Sequence, residues 1–284
     1  NLNYGHWQVS QRITDLAKDS KFSSMDWRWR ISGTNNDERL DLQRQFRMSL
    51  SNTRKDGGNE FWQTNINSAG YDDRVLRGNG ILHQPWNMNL YWERFRPRKG
   101  HWELYGNFGA NNSGIGENRR WGWNASFNPT YYLTDSFSVY SNFSYETDPQ
   151  WVIWQHDNLV GTFDGKIGEF DAGVNWTIGD KQEFRVKLQA LGVTAPLRQA
   201  WRAAPDGTPL PTNDPIEDFS LSNFGFQIRY RYELKPLSDL YVVYGRGGFR
   251  DHDFADDLGN LIPDAFSLRD DEQILVKLSY RFEK

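Results

Sequence analysis

The sequence predicts an all-β fold, an antiparallel transmembrane β-barrel of about 14 strands with short turns at one end and long loops at the other. Apolar and polar residues alternate in segment after segment, the two-residue period of strands with two unlike faces. No run of about 20 apolar residues is present, as a membrane helix would need. Aromatic residues make up 15% of the 284 residues, and Trp and Tyr favour the membrane–water interface.

The average composition is polar, with a mean hydropathy of -0.79 and a net charge of -4. These averages are compatible with a barrel, because only every second residue of a barrel strand faces lipid. The chain has no cysteine, which fits a protein that crosses an oxidising periplasm unfolded. The absence of a basic cluster argues against nucleic acid as a partner.

Alternating runs bounded by turn-forming residues define the predicted strands. One example is 170–178, where Phe170, Ala172, Val174, Trp176 and Ile178 share a face. In chain order, the strands are predicted near 2–14, 25–33, 39–51, 60–69, 86–96, 101–110, 121–132, 137–146, 167–178, 183–193, 221–233, 239–248 and 273–283.

The final strand carries the pattern of a closing barrel strand. Leu278, Tyr280 and Phe282 lie on one apolar face and the strand stops almost at the last residue, as in outer-membrane barrels. Exposed tryptophans on the same predicted face are Trp27, Trp29, Trp92, Trp102, Trp121, Trp123 and Trp176. Their even spacing indicates lipid contact and interfacial belts. The alternative is a sugar-stacking surface on a soluble sandwich.

The connections alternate in length along the chain. Tight turns are predicted at 96–100, 133–136, 179–182 and 234–238, and longer segments at 70–85, 111–120, 147–166, 194–220 and 249–272. In bacterial barrels the tight turns are periplasmic and the long loops are extracellular. We therefore expect a bacterial outer-membrane location.

The predicted strands number thirteen, whereas bacterial single-chain barrels have an even count. Either one strand has been missed, near 151–163, or the barrel takes strands from sequence upstream of Asn1. We favour the second explanation, because residues 1–5 already have the pattern of a strand interior and the chain begins without Met or a leader. We expect 1–284 to be a single barrel or the C-terminal portion of a larger one.

Three segments, 72–80, 181–189 and 230–247, resemble an uncharacterised outer-membrane family. Full-length members of that family carry an N-terminal domain similar to carbohydrate-binding module family nine, followed by a large C-terminal barrel. The resemblance implies an outer-membrane location, an upstream region and carbohydrate recognition by that region. It implies no site residue in this chain.

Basic residues on the polar side of the last strands are the first candidate site. They are Arg185, Lys187, Arg229, Arg231, Lys277 and Arg281. Facing the lumen, such a stripe would attract anionic solutes. The alternative is that these cations pair with Glu169, Asp171 and Glu233 in cross-strand ion ladders that only fill the interior.

The loop at 250–257 is a second, weaker candidate. It carries Asp251, Asp253, Asp256 and Asp257, and calcium takes about 6 to 8 oxygen ligands in flexible geometry. The spacing lacks the EF-hand pattern, so a solvated loop is the alternative and calcium is the one cofactor considered. A third candidate is the proline-rich loop 194–220, which contains Trp201 and Arg202 and would either constrict the pore, bind a partner or remain a mobile external loop.

No catalytic motif occurs, since the five histidines lack a His-Glu-x-x-His spacing and no Gly-x-Ser-x-Gly elbow or phosphate loop is present. We therefore expect a channel for small solutes, or a membrane scaffold that docks surface or periplasmic partners. Outer-membrane lipid and the barrel-assembly machinery would be its other partners. The competing hypothesis is a soluble all-β carbohydrate-binding or hydrolytic protein with its apolar faces buried between two sheets.

Overall fold

The computed structural model describes residues 2–37, 39–116 and 119–282. It is built almost entirely of antiparallel strands, which confirms the predicted all-β class. The strands are β1 Leu2–Ile13, β2 Phe22–Asn36, β3 Asp41–Arg54, β4 Asn59–Asn67, β5 Gly70–Asp72, β6 Leu82–Gln84, β7 Asn87–Lys99, β8 Trp102–Asn111, β9 Gly122–Tyr132, β10 Phe137–His156, β11 Leu159–Ile178, β12 Gln182–Ala195, β13 Leu197–Ala203, β14 Pro209–Thr212, β15 Phe219–Lys235, β16 Ser238–His252 and β17 Asp271–Ser279. One helix, α1, spans Leu258–Ala265.

Thirteen strands form one continuous meander in the order β1-β2-β3-β4-β7-β8-β9-β10-β11-β12-β15-β16-β17. Each corresponds to a strand predicted from the alternation. Residues 151–163 do not form an additional strand of this path, because they lengthen β10 and β11 into one long hairpin. Within the described residues no ladder joins β1 to β17.

The ladder register puts most of the apolar residues of the thirteen strands on one face of the sheet, here called the apolar face. Trp27 pairs with Leu50, Leu50 with Trp62, and Trp62 with Trp92. Many of its large side chains are exposed, among them Ile31, Phe46, Trp62, Ile66, Leu90, Trp102, Phe108, Trp123, Phe127, Val139, Phe143 and Trp176. No second sheet covers this face in the described part of the chain, so the two-sheet sandwich is not the fold.

One cross-strand row shows how the strands are staggered. It runs through Glu60, Arg94, Gly106, Phe127, Phe143, Phe170, Ala190 and Phe224. The row lies one residue from the tight-turn end of β4, six from that of β10 and eleven from that of β15. With about 3.3 Å per residue and about 4.8 Å between strands, this climb corresponds to a strand tilt of roughly 45° if the tight turns lie at one level. Barrel strands tilt by a similar angle.

From β3 onward, tight turns lie at one end of the sheet and the long connections at the other, as predicted. The tight turns occupy 55–58, 100–101, 133–136, 179–181 and 236–237. Gly100 and Gly179 adopt positive φ in two of these turns, a conformation that glycine takes without steric cost. The predicted long loop at 147–166 is instead a strand extension that turns at 157–158.

Two buried clusters join the long connections to strands of the sheet. The loop cluster consists of Leu76, Leu82, Ile115, Val160 and Ala203. These residues come from the β4–β7 and β8–β9 connections, from β11 and from β13, so the sheet must curve for them to meet. The helix cluster, Ala190, Phe224, Ala265 and Leu268, joins α1 to the apolar face of β12 and β15. Among the helices of the described ranges, none is long and apolar enough to cross a membrane.

Candidate functional site

The face opposite the apolar one carries charged and amide side chains and is here called the polar face. On β10 and β11 it presents Asn142 and Asp171, whose side chains are joined by a 2.9 Å hydrogen bond from Asn142 Nδ2 to Asp171 Oδ2. On β11 and β12, Gln189 donates to Glu169 at 2.5 Å. Alternation alone produces this surface, because each strand turns every second residue toward it.

Three of the predicted basic residues have acidic partners on the polar face. Arg185 and Arg229 are direct cross-strand partners, an arrangement of like charges that is unfavourable without an acid between them. Glu183 supplies that acid, in contact with Arg185 and 3.6 Å from Arg229. Arg231 pairs with Asp239 at 2.9 Å.

The ion-pair alternative describes these three arginines, but the acids within 4 Å of them are Glu183 and Asp239 rather than the expected Glu169, Asp171 and Glu233. Glu169 and Asp171 accept hydrogen bonds from amides instead. Sequence alternation could not identify Glu183 and Asp239 as the partners, because the register between strands decides which charges are close.

The remaining three cations of the stripe are more dispersed. Lys277 shares a cross-strand row with Arg231, separated from it by Tyr241. Arg281 follows the end of β17, where its backbone N–H donates to Ser238 Oγ at 3.0 Å. Lys187 has no carboxylate within 4 Å in the described ranges. The six residues therefore do not form one stripe. Arg185, Arg229 and Arg231 form a group, and the other three cations lie apart from it.

Lys187 lines a trough of about 700 Å³ on the polar face. Asp171, Gln189 and Gln227 line it as well. Gly225, Gly245 and Gly247 also line it, and nothing lies within 4 Å of where a side chain at Gly225 would begin. Glycines therefore keep this part of the polar face open while amides and single charges surround it.

A second basic group lies near the β1 edge of the sheet and was not singled out from the sequence. Arg30 and Arg47 are direct cross-strand partners on the polar face. Their partners are neutral, since Arg30 donates to Gln8 at 3.1 Å and Arg47 to Asn65 at 2.7 Å. Neither has an ion pair in the part of the chain that the structure describes. Alternation placed both on the polar side, but only the register of β2 and β3 shows that they are adjacent.

The acidic residues of the 250–257 loop are not gathered into one group. Among described residues, no three potential ligands are close enough to hold a metal ion. Asp251 lies in β16, whereas Asp256 and Asp257 organise the start of α1. Asp257 accepts from Gly259 N as the helix N-cap. The Asn260 side chain, followed by the Asp257 backbone N–H, holds the pKa of Asp256 below its ordinary value.

The proline-rich loop is an ordered hairpin rather than an irregular segment. β13 pairs with the extended part of β11, and β14 pairs with β13. Trp201 Nε1 donates to Thr162 Oγ1 at 3.0 Å, and Arg202 bonds Asp214 at 2.5 Å. Hydrogen bonding from Arg202 holds the pKa of Asp214 below its ordinary value.

This hairpin reaches the β5–β6 hairpin on another part of the sheet. His83 N donates to Gly207 O at 2.7 Å. The two hairpins, with residues 115–116, border a cavity of about 660 Å³ that is lined by both polar and apolar groups, including His83, Gln150, Arg198 and Trp201. The β4–β7, β8–β9 and β12–β15 connections therefore converge at one end of the sheet, with a cavity between them.

The closing-strand residues lie at the free edge of the sheet. Leu278 is in β17, while Tyr280 and Phe282 follow its end. All three side chains are exposed. The Tyr280 and Phe282 rings are 5.0 Å apart, and Lys235 Nζ lies 4.4 Å from the Tyr280 ring centre. Of the seven singled-out tryptophans, six lie on the apolar face and Trp121 immediately precedes β9.

No family model and no curated protein matches the chain. Among solved structures, the chain is similar to OmpTdeltaL8, a loop L8 deletion mutant of OmpT, an outer membrane protein of Vibrio cholerae. The two sequences are 10% identical, with a TM-score of 0.34, and the similarity covers 88% of this chain and 94% of the other.

Proposed function

We propose that the chain is an outer-membrane β-barrel whose polar face borders a water-filled passage for small polar solutes. The observation that carries this proposal is the apolar face, which is continuous over thirteen strands and largely exposed. Phe127 and Phe143, two neighbours at its centre, are 50% and 53% exposed. Soluble proteins rarely expose contiguous apolar patches beyond several hundred Å², whereas acyl chains accommodate such a surface at no cost.

The cross-strand row that runs from Glu60 to Phe224 supports the same assignment of the apolar face to lipid. At the tight-turn end, Glu60 and Arg94 on this face pair at 3.5 Å, which suits the polar boundary of a bilayer. Phenylalanines follow in the middle of the row, where the hydrocarbon would be. Charged residues cost about 2–4 kcal/mol at the midplane of a barrel and little at the interfaces.

The polar face favours hydrophilic solutes of modest charge. Its amides, the trough around Lys187 and the paired arginines offer both donors and acceptors, without one dominant sign of charge. The convergent hairpins would narrow the mouth of the passage. Selectivity would then arise at two places, the hairpins and the basic groups on the polar face.

A membrane scaffold that docks surface partners is the second candidate function. It is favoured by the convergence of the long connections around the loop cluster, because such packing gives a rigid surface at the outer end. A passage filled by side chains would be compatible with the scaffold and would contradict the channel.

Conductance across a planar lipid bilayer tests the proposal. Protein folded into detergent should give discrete current steps after insertion, while protein denatured by heating should give none. Insertion verified by protease protection in vesicles, without any current, would contradict the channel and leave the scaffold. Protein that stays monomeric in water without detergent would contradict both.

A further inference from the structure

Along β11, β12 and β15, the residues of the apolar face become smaller and then polar toward the long-loop end. One cross-strand row reads Phe170, Ala190 and Phe224. The next row contains Gly168, Gly192 and Ser222, and the row after that contains Lys166, Thr194 and Ser220. Apolar surface thus gives way to small and then polar residues within four positions of each strand, roughly 13 Å at 3.3 Å per residue.

Helix α1 packs over this change. A side chain at Gly168 would begin 2.8 Å from Ile262 Cδ1, and one at Gly192 would begin 3.1 Å from Leu261 Cβ. These paired glycines therefore allow the helix to approach the sheet closely. The helix buries Leu261 and Ala265, whereas Asn260, Pro263 and Asp264 stay exposed.

The end of α1 continues into the exposed apolar face. The Phe266 ring lies 5.5 Å from that of Phe224, and Phe266 remains 39% exposed. Arg246 on the same face lies over the Phe224 ring at 5.4 Å and donates to Phe266 O and Leu268 O. An aromatic ring beside a guanidinium and a helix with one polar side are typical of the bilayer interface.

We propose that α1 lies at the outer boundary of the bilayer, where it covers the upper apolar face of β11, β12 and β15 and places Phe266 in contact with lipid. This inference rests on the proposed membrane location of the sheet. The partner is the headgroup–acyl boundary, because Phe266 is continuous with the lipid-facing surface while the polar residues Asn260 and Asp264 of the same helix stay exposed. A segment in the connection between β16 and β17 would then fix the depth at which the barrel sits.

Spin labels measure this depth directly. The chain has no cysteine, so Phe266→Cys, Phe143→Cys and Asp206→Cys each introduce a single labelling site. Phe143 marks the centre of the apolar face, and Asp206 lies at the exposed turn of the β13–β14 hairpin. In lipid vesicles, the ratio of oxygen to nickel-complex accessibility at 266 should fall between the high ratio at 143 and the low ratio at 206. Ser267→Cys, one residue further on an exposed position, provides a second label if Phe266→Cys fails to fold.

The outcomes separate the inference from the proposed function. A ratio at 266 and 267 as low as at 206, with a high ratio at 143, would overturn the interfacial helix and leave the barrel in the membrane. A ratio at 266 equal to that at 143 would also overturn it, because the helix would then lie within the hydrocarbon. A low ratio at all sites would overturn the membrane location itself.

Discussion

Leu237 occupies the left-handed region in the tight turn between β15 and β16, with φ of 64°. Its side chain is 65% exposed, so little packing offsets the steric cost of a Cβ in this conformation. We expect Leu237→Gly to stabilise the protein by about 0.5 kcal/mol, since the relief of strain exceeds the extra entropy of an unfolded glycine. Urea unfolding in lipid vesicles measures the difference.

Leu234→Gly is the matched control, because Leu234 is an exposed leucine in β15 at a position without positive φ. It should destabilise the protein. Loss of stability in Leu237→Gly as well would mean that the exposed leucine contributes more than the strain it causes.

A second prediction at the scale of the residue concerns Arg30 and Arg47. Both lie on the polar face with amide partners only, so their charge is not cancelled locally. Replacement of both by Gln should shift the reversal potential in a salt gradient toward cation preference. Arg94→Gln removes a charge from the apolar face and should leave the reversal potential unchanged. An equal shift in both variants would show that the effect is not local to the passage.

Single residues also show what the sequence could and could not provide. Alternation was sufficient to assign Arg30, Arg47 and Arg185 to the polar face, because a strand has only two faces. It was not sufficient to choose their partners. Glu183 lies on the same strand as Arg185 and diagonally across the ladder from Arg229, and this depends on the register of two strands separated by a long insertion.

At the scale of the element, we expect the Arg202–Asp214 pair to stabilise the β13–β14 hairpin. Asp214 has a lowered pKa, so its contribution is present above the ordinary value of 3.8 and is lost as the pH falls through the lowered value. Asp214→Asn imitates the acidic state at neutral pH. We expect trypsin to cleave after Arg202 faster in this variant than in the unmodified protein.

Asp253→Asn changes a carboxylate in another long connection and should not alter cleavage after Arg202. Equal cleavage rates in all three proteins would show that the pair does not hold the hairpin. In the unmodified protein, susceptibility of the hairpin to pepsin should rise only below pH 3.8, because the carboxylate remains ionised above that value.

The long connections were the elements that sequence analysis described least well. Residues 147–166 contain polar and turn-forming residues and were predicted as a loop, yet they pair with each other and with β13. Their stability comes from a neighbouring strand supplied 40 residues later, which a local pattern does not contain. The helix α1 was also missed, since eight residues are too few for a clear helical period.

At the scale of the whole molecule, we expect a new positive charge to lower the stability much more on the apolar face than on the polar face. Phe143→Arg places a cation at the centre of the apolar face and should reduce the free energy of unfolding by about 2–4 kcal/mol in a bilayer. Ser144→Arg places it one residue away on the polar face, opposite Glu169. This variant should change the free energy of unfolding by less than about 1 kcal/mol.

Urea titration of protein folded in vesicles compares the two variants under identical conditions. Similar losses in both would contradict the assignment of one face to lipid and the other to water. The fold itself was predictable at this scale, because thirteen alternating segments with short and long connections leave few arrangements other than an antiparallel meander.

The hydrogen bond from His83 N to Gly207 O constrains how the strands can align. A slip of two residues in the ladders between β7 and β11 would keep every side chain on its proper face, so hydrophobicity alone would not oppose it. It would nevertheless displace one hairpin from the other by about 7 Å along the strands. The contact between these hairpins can therefore form in only one register. It favours the native alignment over slipped sheets that would still present an apolar face.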